Sequence, residues 1–311
     1  MGRYRNVSLF LLLSMVWGSA FVVTKAGLDY LPPALFAAIR FDLAAVVLFG
    51  CAAVKYDRLW PRSRGDWRQI ATGGALLIGA HHALLFAGQQ YVQSAVAAVL
   101  LGLIPVITPA LARTVASSER LSPSGVAGVL VGFVGVVVIA DPDPSNLLSA
   151  DLQGVALVLA SAVVFALGAV LTHEGESSLP TVSLQAWMMF VGAGLLHVTS
   201  VLLPTESFAS AQWTLDAVAA LVYLSVVAGA MGFFLYFDLL DIMGPIEMSL
   251  IEYVIPLFAA LAGWAALGEQ PTVTTAVGFV VIFVGFSLLK FDALVRELRR
   301  VYGVVRHERN A

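Results

Sequence analysis

The chain has 311 residues, of which 59% are hydrophobic and only 12% are charged, and its mean hydropathy is +0.90. Ordinary soluble domains carry about 25% charged residues, so this composition excludes a soluble globular protein and indicates an integral membrane protein. The net charge of −3 says little, because the position of each charge matters more than the sum. We expect no nucleic acid, metal or cofactor to bind. The single cysteine, Cys51, excludes an intrachain disulfide.

Ten apolar runs follow one another along the chain. A helix that spans a bilayer takes about 20 mainly apolar residues, and the alternating pattern of a membrane barrel is absent from the sequence. The sequence therefore predicts an all-α integral membrane protein with ten transmembrane helices, joined by short connections except at 55–68. The runs cover residues 7–28, 33–54, 69–91, 93–115, 122–140, 152–173, 181–203, 215–239, 246–268 and 271–289.

The distribution of Lys and Arg predicts the orientation of these spans. Cytoplasmic loops carry an excess of basic residues. With ten spans, the basic residues precede the first span or follow the second, fourth and tenth, and the exceptions are Lys25 and Arg40. We therefore predict that both termini are cytoplasmic and that residues 290–311 form a cytoplasmic tail.

The chain repeats itself after about half its length. Two stretches share a central proline, an acidic turn and a glycine-rich sequel, and Pro256 stands 151 residues after Pro105. The tripeptide Phe-Val-Gly recurs with an offset of 150 residues. A repeat of this length predicts two homologous five-helix halves, at 7–140 and 152–289.

An odd number of spans in each half means that the two copies cross the membrane in opposite senses. Inverted repeats build many secondary transporters, with the substrate site near the midplane between the halves. A duplication kept only for packing is the alternative. A proline at mid-span kinks a helix, so Pro105 and Pro256 are candidate gating residues, with a static kink as the alternative.

Two ionisable residues lie inside the second span. Charges at membrane depth cost about 2.5–3.5 kcal/mol on insertion scales and are functional candidates by default. The spacing of Arg40 and Asp42 places them on different faces of the helix, so each needs a separate partner or a wet cavity. Arg40 is the leading substrate-binding candidate, because a guanidinium matches a carboxylate or phosphate in bidentate geometry. A clamp from Arg40 to an acidic residue is the alternative, and Asp42 is a coupling or gating candidate.

Titratable residues also lie within the third and ninth spans. His81 and His82 are at mid-depth, where a histidine can donate, accept or exchange a proton, and the sequence does not decide which of them faces the interior. Glu252 precedes Pro256 by one helical turn, so both project from the same face. A buried carboxylate there is a candidate proton carrier for coupling, and a salt bridge to Arg40 or a histidine is the alternative.

Aromatic residues complete the candidate substrate site. Most Trp and Tyr residues of membrane proteins belong to the interfacial belt. Trp17 lies in the middle of the first span and is followed by Phe21, which favours a substrate-facing position. Trp187 in the seventh span and Tyr253 in the ninth are further candidates.

Several motifs recur in recognisable order along the chain. They are Trp17-Gly18-Ser19 through Lys25, Ala38-Ile39-Arg40-Phe41, and the recurring proline and glutamate at Pro105, Glu119, Pro256 and Glu269. Together with the repeat, these motifs resemble the drug/metabolite transporter superfamily, in its ten-span EamA-type branch. The resemblance implies a pseudo-symmetric carrier in which spans 1–4 and 6–9 surround a central cavity while spans 5 and 10 lie at the periphery. Similar proteins often export amino acids or related small metabolites.

The sequence therefore predicts a multi-pass cell-membrane protein that acts as a secondary transporter, most simply an exporter, and not as an enzyme. It would move small metabolites such as amino acids by alternating access, with proton coupling as a further hypothesis. A lipid- or drug-flippase-type carrier is the alternative, and an intramembrane enzyme is the least supported option. No GxxxxGK[ST] loop for ATP is present. The expected partners are a small-molecule substrate and the lipid bilayer, with a homodimer left open.

Overall fold

A computed structural model describes residues 2–115, 123–140, 149–173, 177–243, 248 and 251–289. These ranges contain α-helices, π-helical and 3₁₀ segments and short connections, with no β-strand among them. The predicted tail at 290–311 and the turn that contains Glu119 lie outside the described residues.

The helices follow the predicted apolar runs closely. They are labelled α1 to α10 in chain order, and α8 consists of three segments that run on without a break. The bounds are α1 Gly2–Gly27, α2 Pro33–Lys55, α3 Arg64–Gln89, α4 Ser94–Leu101 with Ile104–Val115, α5 Pro123–Ala140, α6 Ala150–His173, α7 Thr181–Leu202, α8 Leu215–Val222 with Tyr223–Met231 and Gly232–Met243, α9 Ile251–Leu267 and α10 Val273–Leu289.

Within the described residues, seven helices are long and apolar enough to cross a membrane, namely α1, α2, α3, α4, α6, α7 and α8. The other three, α5, α9 and α10, are shorter apolar helices. The run expected at 246–268 begins in residues outside the described ranges, which shortens α9. The expectation of an α-helical membrane protein is confirmed for the part of the chain that the structure describes.

Two helices contain a wider, π-helical segment that the sequence did not predict. These segments are Gly73–Ala80 in α3 and Tyr223–Met231 in α8, and their first residues are 150 positions apart. Single π-helical turns inside α-helices often mark functional sites. Each segment is followed directly by residues that line the central cavity described below.

Helices of the first half of the chain pack mainly against helices of the second half. Neighbours include α2 with α7, α5 with α10, α1 with α9, and α6 with both α3 and α4. The largest cluster of buried apolar side chains draws on most of these helices, and Phe36, Phe86 and Leu196 are among its fully buried members.

Glycines allow the closest of these approaches. A methyl group on Gly18 of α1 would lie 2.8 Å from the carbonyl oxygen of Ile255 in α9, and one on Gly285 of α10 would lie 2.7 Å from the backbone nitrogen of Gly132 in α5. Small residues let membrane helices approach this closely. The glycine-rich faces of α5 and α10 thus make a tightly packed pair of helices.

The two central prolines act differently on their helices. The first, Pro105, follows an interruption of α4 after Leu101, whereas Pro256 lies inside α9 without ending it. Proline has no backbone N–H, so the carbonyl four residues earlier loses its helical donor. The carbonyls affected are those of Leu101 and Glu252, which occupy equivalent places in the two repeats.

Two glutamates fasten helix N-termini from other parts of the chain. The Glu206 carboxylate accepts hydrogen bonds from the backbone N–H of Ala34 at 2.8 Å and of Leu35 at 3.2 Å. The Glu269 carboxylate accepts from the backbone N–H of Ser94 at 3.0 Å and from its hydroxyl at 3.2 Å. Carboxylates are favourable at such sites, where unpaired N–H groups and the helix dipole meet.

Candidate functional site

A cavity of about 410 Å³ lies between the two halves of the chain. Small-molecule sites commonly enclose about 300–1,000 Å³, so this volume suits a small metabolite. Helices α1, α2, α3, α4, α6, α8 and α9 contribute its wall, whereas no described residue of α5, α7 or α10 does. We call it the central cavity, and its lining is Trp17, Ala20, Phe21, Thr24, Arg40, His81, His82, Leu85, Phe86, Gln89, Ala98, Leu101, Ile104, Phe165, Ala228, Phe233, Tyr236, Glu252 and Ile255.

The absence of α7 from this wall departs from the arrangement that the family resemblance implies. Helix α7 packs along α2 and along the π-helical segment of α3. A methyl group on Gly74 of that segment would lie 3.0 Å from the carbonyl oxygen of Met188 in α7. This close contact holds α7 behind α2 and α3, away from the cavity.

Arg40 places a guanidinium on the cavity wall without an acidic partner. Among the described residues, its side chain forms neither an ion pair within 4.0 Å nor a hydrogen bond. The guanidinium carbon lies 4.8 Å from the ring centroid of Phe41 and 5.8 Å from that of Phe86. Cation–π contacts of this kind hold a cation in place and leave its N–H donors available to a ligand.

The two histidines also line the cavity, and their hydrogen bonds assign their tautomers. His81 Nδ1 lies 3.0 Å from the carbonyl oxygen of Ser161, and His82 Nδ1 lies 3.0 Å from that of Ile78. A carbonyl oxygen only accepts, so each Nδ1 is the donor and the Nε2 of each neutral ring is an acceptor. The rings meet edge to face with centroids 4.5 Å apart. The sequence left open which of them faces the interior, and both contribute to the lining.

Glu252 brings a carboxylate to the same cavity from α9. Its side chain makes no hydrogen bond or ion pair with the described residues, so the alternative of a salt bridge to Arg40 or a histidine is not realised in this structure. The carbonyl of Glu252 is one of the two groups that lose their helical donor to a proline. One cavity therefore contains an unpaired cation and an unpaired carboxylate.

Aromatic rings form most of the remaining wall. The Trp17 indole donates to the carbonyl oxygen of Ala228 at 3.0 Å, and its ring lies 5.8 Å from Phe233 and 5.4 Å from Tyr236 between centroids. This links α1 to α8 across the site. The predicted Phe21 also lines the cavity.

Polar contacts fasten α1 to the junction of α3 and α4 at one end of the cavity. The Lys25 ammonium donates to the carbonyl oxygen of Gln89 at 3.2 Å and to that of Val92. The side-chain amide of Gln89 donates to the carbonyl oxygen of Phe21 at 3.3 Å. Lys25 thus serves here as a clamp between helices.

Several predicted site residues lie elsewhere. The Asp42 carboxylate accepts a hydrogen bond from His197 Nε2 at 2.7 Å, and both side chains are about two-fifths exposed. The Trp187 indole donates to the carbonyl oxygen of Leu59 at 2.9 Å, at the far end of α2. Tyr253 is buried, with its ring centroid 4.6 Å from that of Phe286 in α10. The gating candidates Pro105 and Pro256 do not line the cavity.

Three rings of the central cavity were missed from the sequence: Phe86, Phe165 and Phe233. Each lies in the middle of an apolar run, where phenylalanine is ordinary core material. Nothing in their spacing separates them from Phe36, which is fully buried.

Comparison with known families identifies both halves of the chain. The model of the EamA-like transporter family matches residues 5–140 and again residues 152–291. The two matches leave only the ends of the chain and one short connection uncovered.

Curated proteins similar to this chain carry transporter names. A probable amino-acid metabolite efflux pump of Salmonella typhimurium is 28% identical, and the alignment covers 95% of this chain and 98% of the relative. The uncharacterized transporter YvbV of Bacillus subtilis is 27% identical, with 92% of each chain covered. The uncharacterized inner membrane transporter YedA of Escherichia coli is 24% identical, with 83% and 81% covered.

A solved crystal structure shares the fold. Its TM-score is 0.64 at 20% sequence identity, and the match covers 92% of this chain and 98% of the other. The helical arrangement described above is therefore one that a known protein adopts over nearly its whole length.

Proposed function

The chain belongs to the EamA-like transporter family, and we propose that it exports amino acids or closely related small metabolites by alternating access. Family, relatives and apolar helices together make it a multi-pass transporter of the cell membrane rather than an enzyme. Its partners are a small-molecule substrate and the lipid bilayer. The substrate class, the direction and the mechanism are the proposal.

The observation that carries the substrate class is the pair of unpaired charges in the central cavity. Arg40 and Glu252 are partly buried, and withdrawing an unpaired charge from water is costly, so both would be poor choices for a cavity that stays empty. An amino acid is a zwitterion: its carboxylate complements the guanidinium of Arg40, and its ammonium complements the carboxylate of Glu252. The surrounding rings favour an apolar or aromatic side chain.

The relatives support the same substrate class. The protein of Salmonella typhimurium is named as a probable efflux pump for amino-acid metabolites. Its alignment spans nearly the whole of both chains.

The packing of the helices supports ten spans arranged as two inverted repeats. Equivalent pairs recur when the halves are exchanged: α1 packs on α9 as α6 packs on α4, and α2 packs on α8 as α7 packs on α3. The matching π-helical segments and central prolines lie at equivalent points. Alternating access would proceed by rocking of one half against the other around the cavity, with both termini on the cytoplasmic side.

Proton coupling through Glu252 is a second element of the proposal. The carboxylate faces the cavity, and one turn away Pro256 weakens the hydrogen-bonding of its helix. Protonation of Glu252 would remove the negative charge that holds a substrate ammonium, which links proton binding to substrate release.

Transport in proteoliposomes tests the substrate class. We expect saturable counterflow of at least one apolar amino acid from a radiolabelled panel. The corresponding decarboxylated amine and N-acetylated acid should compete with this transport more weakly than the unlabelled amino acid does. Arg40→Ala should abolish the discrimination against the amine, and Glu252→Gln the discrimination against the N-acetylated acid. Tyr253→Phe, outside the cavity, should retain both.

Two results would contradict this proposal. If none of the amino acids shows counterflow, the proposed substrate class is wrong. If both cavity variants still discriminate against the two analogues, the proposed binding site is wrong. For coupling, a flux that is indifferent to an imposed pH gradient in the wild type would exclude the role of Glu252 as a proton carrier.

A further inference from the structure

A second cavity, separate from the transport site, lies at the end of α2 that leads into the α2–α3 connection. It encloses about 330 Å³. We call it the aromatic groove, and its lining is Phe49, Ala53, Leu59, Trp60, Trp187 and Phe190. All six side chains are apolar or aromatic. Trp60 is 66% exposed and Phe190 is 53% exposed, so the groove opens onto the outer surface of the helix bundle, where a membrane protein meets lipid.

The wall of this groove is held in place by hydrogen bonds. The Trp187 indole donates to the carbonyl oxygen of Leu59 at 2.9 Å, and the Ser183 hydroxyl donates to that of Arg58 at 3.1 Å. The buried carboxylate of Asp66 accepts from the backbone N–H of Arg62 at 3.0 Å, on one side, and from the backbone N–H of Ser178 at 2.9 Å, on the other. The connection is therefore a fixed element across the start of α7.

The connection that supplies part of the groove also carries two exposed cations. Arg62 and Arg64 come two and four residues after Trp60 of the lining, and both are exposed. Neither forms an ion pair with any residue in the ranges that the structure describes. The apolar lining and two unpaired cations are therefore neighbours along the chain.

The surface beyond the groove has room for an extended apolar chain. A methyl group added at Gly50 or at Gly194 would meet no atom within 4 Å. Gly50 shares a helix face with Ala53, and Gly194 shares one with Phe190, so the open space continues the groove along α2 and α7. Phe49 lies six residues inside the end of α2, about 9 Å by helical rise.

We propose that the aromatic groove binds one anionic phospholipid, with an acyl chain in the groove and its phosphate at Arg62 and Arg64. An amphiphile with a negative head and an apolar tail is the ligand that complements an apolar slot with cations next to it in the chain. Basic residues next to a membrane surface attract anionic lipids with about 1 kcal/mol each. The site is independent of the transported substrate, since no residue lines both cavities.

Tryptophan quenching by brominated lipid tests this site in the full-length protein. The protein is placed in nanodiscs of phosphatidylcholine that contain increasing fractions of phosphatidylglycerol with brominated acyl chains. Brominated phosphatidylcholine in matched nanodiscs gives the signal from ordinary lipid contact. We expect phosphatidylglycerol to quench more strongly, with saturation at a low fraction.

Two kinds of variant test the head-group contact and the apolar groove independently. Arg62→Gln or Arg64→Gln should weaken the apparent affinity for phosphatidylglycerol by about fivefold each, and the double variant by about 25-fold. Gly50→Leu, which fills open space, should remove the excess quenching. The matched controls are Arg68→Gln, an exposed cation further along α3, and Ala156→Leu, an exposed small residue on α6.

Equal quenching by the two lipids in the wild type would overturn the proposal. So would an excess that survives in the double arginine variant or in Gly50→Leu. If Arg68→Gln lowers the apparent affinity for phosphatidylglycerol as much as Arg62→Gln does, the lipid responds to diffuse surface charge and there is no defined lipid site.

Discussion

The central cavity and the first turn of α3, next to the α2–α3 connection, each contain a carboxylate, and the two have opposite surroundings. Asp66 in that first turn is fully buried. It accepts hydrogen bonds from the Arg58 guanidinium at 3.2 Å, from the backbone N–H of Ser63 at 3.0 Å and from the Ser177 hydroxyl at 2.8 Å, besides those already described. Glu252 in the cavity receives no such bond from the described residues.

This difference separates a structural charge from a functional one. A carboxylate with every acceptor site filled stabilises the fold and has nothing left for a ligand. A carboxylate without partners lowers the stability of the fold. A protein keeps such a residue when a ligand or a proton binds to it. Arg40 belongs to the second kind, because its guanidinium lies against the rings of Phe41 and Phe86 and has no acidic partner among the described residues.

The largest effect on stability is expected from Asp66→Ala. The substitution leaves several buried N–H and O–H donors without an acceptor, which should cost about 3 kcal/mol. The melting temperature of the detergent-solubilised protein, followed by size-exclusion chromatography after heating, should fall by about 5 °C. Asp57→Ala, at an exposed position of the same connection, is the control and should change it little. An unchanged melting temperature in Asp66→Ala would contradict the structural role.

Arg40→Ala should show the reverse pattern, with intact folding and impaired transport. Hydrogen bonds to charged groups contribute about 1.5–3 kcal/mol, so the KM for a transported amino acid should rise about 10- to 100-fold. The melting temperature should stay the same or rise, because an unpaired charge is removed. A large fall in melting temperature, with KM unchanged in the surviving protein, would make Arg40 a structural clamp.

The smallest effect is expected from Asp42→Asn. Its hydrogen bond with His197 lies away from the cavity, and the side-chain oxygen of an asparagine can accept the same bond. Melting temperature and KM should both stay close to those of the wild type. A transport defect comparable to that of Arg40→Ala would show that coupling or gating runs through Asp42 after all.

Much of the fold follows from the sequence because the length of an apolar run fixes a spanning helix. The runs at 33–54 and 181–203 correspond closely to α2 and α7. The π-helical segments could not be predicted, since Gly73–Ala80 is as apolar as the regular helices around it. The segment in α3 contains Gly73 and Gly74, where that helix comes into close contact with α7.

Some of the predicted site residues line the central cavity and others lie elsewhere, and the difference has a physical reason. Arg40 and Glu252 line the cavity, whereas their near neighbours Asp42 and Tyr253 do not. Successive residues on a helix are separated by about 100°, so adjacent positions face different neighbours. Depth along a span can be counted, but its rotation depends on packing against the other helices.

The sequence by itself determined the class of the protein and the position of each polar residue along its apolar run, and it predicted the repeat, because these depend on composition and counting along the chain. The tertiary structure decided which residues meet. It turned Arg40 towards an aromatic cavity and Asp42 towards His197, and it buried Tyr253 against α10 beside a cavity-facing Glu252. Those outcomes depend on the rotation of each helix, which close contacts such as that of Gly18 with α9 fix only when the helices pack together.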